Sequence, residues 1–125
     1  MPQAFKAPLG RRTPHVYNST DMKTELPIAC NLDALTEAQQ ARRTELAARL
    51  QSSIRAIVPT PQGYTFRLPA DDRTLLEVIE FISLERQCCP FLNFEISLKE
   101  GEDFVVVNLS GRDGVKEFLA AEFGF

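Results

Sequence analysis

Two adjacent cysteines closed off by a proline, Cys88-Cys89-Pro90, lie in the run Glu85-Arg86-Gln87-Cys88-Cys89-Pro90-Phe91. As thiolates they are nucleophiles and ligands for soft metals; as buried thiols they are small apolar fillers. A disulfide between neighbours is disfavoured, because adjacent Cα atoms lie about 3.8 Å apart and disulfides become comfortable at roughly 4.4 Å. The chain has one more cysteine, Cys30. A bridge from Cys30 to Cys88 or Cys89 stays open on geometry, but an odd count in a chain that lacks a secretory signal favours free thiols. Tetrahedral zinc wants four Cys or His ligands at CxxC-like spacing, and no CxxC occurs. His15 is the only histidine. Three thiols suit a soft, thiophilic ion if Cys30 folds over the pair.

The elements that must position these residues follow from periodicity. Residues 1–29 hold Pro2, Pro8, Pro14 and Pro27 without helical or strand patterning, and are expected to form an irregular arm. Residues 30–125 are expected to form one α+β domain. Thr36-Glu37-Ala38-Gln39 is a capping box that opens a helix over about 36–52, with Leu46, Leu50 and Ile54 at helical spacing. Glu45 and Arg49 are placed to pair on its wet side. A hairpin follows: Arg55 to Val58, a connection Pro59-Thr60-Pro61-Gln62-Gly63, then Tyr64 to Leu68. Asp71 caps a second helix that ends near Cys88, because the residue before Pro90 is driven out of the helical region. Leu92 to Leu98, a turn at Glu100-Gly101-Glu102, and Phe104 to Leu109 form a second hairpin. Ser110-Gly111-Arg112-Asp113 opens a last helix through about Glu122, which Gly124 ends.

The order α-β-β-α-β-β-α predicts a four-stranded antiparallel sheet with helices packed on one face. A spacing of forty relates Tyr64 to Phe104, Phe66 to Val106 and Leu75 to Val115, a weak sign of an internal repeat. On a helical wheel the apolar stripe Leu75, Val78, Ile79 and Ile82 runs into Glu85, Arg86 and Cys89. Leu84 falls opposite, and Cys88 on the flank near Phe81. Glu85 and Arg86 are therefore expected to flank the thiols as ligand-binding or thiol-tuning residues, with Cys88, Cys89 and Cys30 as the metal-binding set. No catalytic residue is assigned.

Other chemistries lack their residues. The chain has no phosphate-binding glycine loop, no serine elbow, and no histidine placed to activate a cysteine. A net charge of -3 offers no field for nucleic acid, and Tyr64, Phe66 and Phe94 read as core rather than a base-stacking platform. No apolar run approaches the roughly 20 residues that span a bilayer, and the first residues lack the apolar core of a secretory signal. The expectation is a cytoplasmic protein that meets neither nucleic acid nor membrane, with a homodimer through the polar sheet face left open.

Cys30-Asn31-Leu32, Glu37, Arg42-Arg43, Gly63-Tyr64-Thr65-Phe66-Arg67-Leu68-Pro69 and Leu84-Glu85-Arg86-Gln87-Cys88-Cys89-Pro90-Phe91-Leu92-Asn93-Phe94 together resemble a poorly characterised bacterial family. Its members stand alone, or lie behind or near MerR-type heavy-metal regulators. The most specific part is Glu-Arg-x-Cys-Cys-Pro-Phe-x-x-Phe, and Cys30 matches the cysteine that opens the domain. The resemblance spans about Ile28 to Phe118. It implies a thiol-based role linked to mercury or another soft metal, without an established activity. No MerR-like helix-turn-helix precedes the domain, so direct regulation of DNA is not expected. The alternatives are a non-catalytic ligand-sensing or protein-interaction module, and a dithiol redox enzyme.

Overall fold

The computed structural model describes residues 27–124; most of the proline-rich arm expected over 1–29 lies outside the described residues. The chain runs α1 (Glu37–Ser53), β1 (Ala56–Thr60), β2 (Gly63–Pro69), α2 (Asp72–Cys88), β3 (Asn93–Ser97), β4 (Phe104–Ser110) and α3 (Val115–Phe123). The strands form one antiparallel sheet in the order β1-β2-β4-β3. This is the α+β fold that the alternation of patterns predicts. Among the described residues no helix is long and apolar enough to cross a membrane.

Local signals set most boundaries. Thr36 accepts from the Gln39 amide at 3.1 Å, and the Gln39 side chain accepts from the Thr36 amide at 2.9 Å, so the capping box that starts α1 is complete. Asp71 caps α2 through the Thr74 amide at 2.9 Å. Two ends differ from expectation by more than one residue. β1 runs on through Pro59 and Thr60, and Thr60 pairs with Gly63 across a turn of only Pro61 and Gln62. Proline is tolerated there because β1 is an edge strand. α3 begins at Val115, because Gly114 takes a left-handed φ of 101° that the helix cannot include.

Register explains the weak repeat. Tyr64, Phe66 and Leu68 lie opposite Leu109, Val107 and Val105 on the face under the helices. Phe66 is thus core, whereas Val106 points to the other face. The repeat aligns only at a spacing one residue longer than forty, since a slip of one exchanges the two faces of a strand. Tyr64, Phe66 and Phe94 all pack on the core side, which leaves no aromatic platform among them. A cavity of about 60 Å³ remains beneath the helices, lined by Leu50, Phe66, Phe81, Phe94 and Phe123 among others.

The largest correction concerns α2. Its buried positions are Thr74, Glu77, Val78, Leu84, Glu85 and Cys88, while Ile79 and Leu76 are exposed. The helix is turned by roughly one residue, about 100°, from the orientation its apolar side chains alone suggest. Arginines of α1 account for this by drawing carboxylates into the helix–helix contact. Arg49 grips Glu77 with a fork of hydrogen bonds at 2.9–3.1 Å, and Arg42 grips Glu80 with two at 2.8 Å. Arg49 therefore pairs across to α2 rather than with Glu45, which instead contacts Arg42 at 3.1 Å.

Hydrogen bonds from Arg49 hold the Glu77 carboxyl below its usual pKa, against the opposing effect of burial. A depressed carboxyl contributes stability that is complete above its unfolded value, about 4.3, and is lost as pH falls through the lower folded value. Denaturant unfolding of the wild type and Glu77→Gln across this range checks the point. The stability gap is expected to be constant near neutrality and to shrink progressively below about pH 4.

Candidate thiol site

Helix α2 stops where its sequence requires. The Cys89 amide closes the last turn on the Glu85 carbonyl at 2.6 Å, and Pro90 has no N–H to continue. A helix end leaves carbonyls without partners. One of these, that of Cys88, accepts from the Asn31 amide at 2.7 Å. Asn31 belongs to a strap ahead of α1 that contains a short 3-10 turn, Leu32–Ala34. The strap is fixed at both sides. Gln40 donates to the carbonyls of Leu32 and Leu35 at 2.9 and 3.2 Å, Leu35 is buried, and Ile28 packs on the core. The packed domain thus takes in Ile28, two residues before the boundary read from the sequence.

The strap carries Cys30 to the end of α2. The sulfurs of Cys30, Cys88 and Cys89 all lie within 4.8 Å of one another, so the three thiols singled out in the sequence form one cluster. Cys88 and Cys89 are 3.7 Å apart at Sγ. Both are 0% exposed, and Cys30 is half-buried. The expectation that Cys89 faces the core and Cys88 only its flank is too weak: both are fully enclosed.

Of the two expected flanking residues, Glu85 is at the site and Arg86 is not. Glu85 is buried, with Oε2 3.9 Å from the Cys88 sulfur. Arg86 is exposed and lines a shallow surface groove with Ile82, Asn93 and Glu95. Among the described residues the cation facing the cluster is Arg43 of α1. Its Nε donates to Glu85 Oε2, and its Nη2 reaches the Cys30 sulfur at 3.9 Å. Sequence reading gave Arg43 no role at the site, although a signal was there. Arg43, Leu46 and Leu50 share helical spacing, which puts a guanidinium on the buried face of α1.

The electrostatics separate the three thiols. Contact with the Cys89 thiol lowers the Cys30 pKa, with a smaller contribution from Arg43. The same contact raises the pKa of Cys89, and burial adds to it. Burial first, then the Glu85 charge, pushes Cys88 up. Cys30 is thus the thiol of the three that ionises most readily, and Cys88 and Cys89 are held as thiols. Burial disfavours the charge on Arg43, but Glu85 outweighs it and keeps the guanidinium more firmly protonated. The arrangement is a thiol cluster beside a buried ion pair, suited to soft-donor coordination or to thiol chemistry. Comparison with known protein families, with curated proteins and with solved structures found no match.

Two outcomes follow. Arg43→Met leaves Glu85 buried without its partner and should destabilise the fold by about 3 kcal/mol, whereas Arg43→Met with Glu85→Met should recover most of the loss. Denaturant unfolding of the three variants measures this. Iodoacetamide with peptide mapping should modify Cys30 first at neutral pH, with Cys88 and Cys89 reacting only as fast as the domain opens.

Proposed function

We propose that this protein binds a soft, thiophilic ion through Cys30, Cys88 and Cys89. The convergence of the three sulfurs within 4.8 Å carries the reading. Thiolates arranged tetrahedrally around an ion at about 2.3 Å stand roughly 3.8 Å apart. Cys88 and Cys89 already have a separation of 3.7 Å, so little rearrangement is needed for both to meet one ion. Arg43 and Glu85 are positioning residues here: the pair fixes α1 against α2, and Arg43 directs the Cys30 sulfur toward the others. The resemblance to a family found near heavy-metal regulators points the same way, and agrees with a reducing, cytoplasmic setting. A dithiol redox enzyme is less well supported, because two of the three sulfurs have no exposed surface for a substrate to meet.

Titration of the reduced protein with Hg(II), Cu(I), arsenite and Zn(II), followed by sulfur charge-transfer absorbance, tests the reading. At least one soft ion should bind at one per chain. Cys88→Ser with Cys89→Ser should abolish that binding while circular dichroism shows the fold retained. Unchanged affinity in the double variant overturns the proposal.

A further inference from the structure

The charges around the three sulfurs select among soft ions. Glu85 and Arg43 form an ion pair and cancel each other. Among the described residues a further charge acting on the cluster is the carboxylate of Glu122 on α3, exposed and opposed to a negative Cys30. The carbonyl end of α2 adds further negative potential. The described surroundings are therefore neutral to slightly negative, and two of the sulfurs have no contact with water. In such a place a complex with net charge is strongly disfavoured by desolvation, and a neutral one is not.

We propose, resting on the soft-ion reading above, that the preferred ligand of this site is a trivalent three-coordinate ion of the arsenite class, held as a neutral tris-thiolate. The balance is As(OH)3 + 3 Cys-SH → As(S-Cys)3 + 3 H2O. Three As–O and three S–H bonds break, three As–S bonds form, and the thiol protons leave in water with no change of oxidation state. A divalent ion reaches neutrality with two thiolates, releasing two protons and leaving the third cysteine a thiol; taking all three gives a buried anion. Zinc is doubly unsuited. Its tris-thiolate is anionic, and the described residues supply no free fourth donor: they contain no histidine, and the nearest carboxylate, Glu85, is held by Arg43.

The experiment uses reduced full-length protein with sodium arsenite and mercuric chloride as probes. X-ray absorption should show three As–S bonds at one arsenite per chain, and calorimetry in buffers of different ionisation enthalpy should show no net proton release. Mercuric ion should engage two sulfurs and release two protons. Cys30→Ser, with its fold checked by circular dichroism, should weaken arsenite binding by about 100-fold or more, beyond what loss of an outer-shell partner costs, and change mercuric binding only a few-fold. Arsenite held by two sulfurs, arsenite affinity indifferent to Cys30→Ser, or mercuric ion taking three sulfurs would each overturn this proposal. So would mercuric binding without arsenite binding, which leaves the soft-ion reading intact. Failure of the folded wild type to bind arsenite, mercuric ion or Cu(I) overturns that reading as well.

Discussion

The ion pair between Arg43 and Glu85 is the contact on which the rest of the arrangement depends. Their side chains are only 17% and 7% exposed, so neither charge can be left alone without a large desolvation cost. Satisfying it fixes how α2 is turned against α1, and hence where the last turn of α2 delivers Cys88. The same guanidinium also reaches Cys30 on the strap. One side chain therefore brings together three segments that are distant in sequence. The neighbouring Arg49–Glu77 and Arg42–Glu80 pairs repeat this along the helix contact, with α1 supplying cations and α2 anions throughout.

The fold was readable because its signals are local. The Thr36 capping box, the Asp71 cap, the alternation from Tyr64 to Leu68 and the stop imposed by Pro90 each act within a few residues. The thiol cluster was readable in outline, since Cys30 precedes the first helix and the pair ends the second. The orientation of α2 was not. A wheel assigns the inside to apolar residues, and Glu77 is inside because Arg49 from another helix meets it there. Arg86 was placed at the site by the same error that left Ile79 in the core. The repeat failed for a related reason: register is decided by pairing between hairpins, which no single strand encodes.

The sheet's two edges are handled differently. β1 carries Pro59, which removes one N–H from the row that an edge presents, and β3 spans only Asn93–Ser97. On the face away from the helices, Asn108 bonds both Thr65 and Glu95, and Arg67 stacks on Phe104 at 4.2 Å. That face mixes polar side chains with Val58, Phe104 and Val106, and several of its polar groups are tied together by cross-strand contacts.

The position of Cys30 ahead of α1, with its partners at the end of α2, has a topological consequence. An ion shared by the three sulfurs would cross-link the chain into a closed loop holding α1, β1, β2 and α2, with β3, β4 and α3 outside it. A clasp across so long a loop restricts the unfolded chain much as a disulfide does, and the restriction grows with loop length. Occupancy would then divide the molecule into a half that is fastened and a half that stays attached through the β2–β4 ladder, the hydrogen bonds flanking it and the core beneath it. Resistance to unfolding would be gained in the first half and inherited by the second through those contacts.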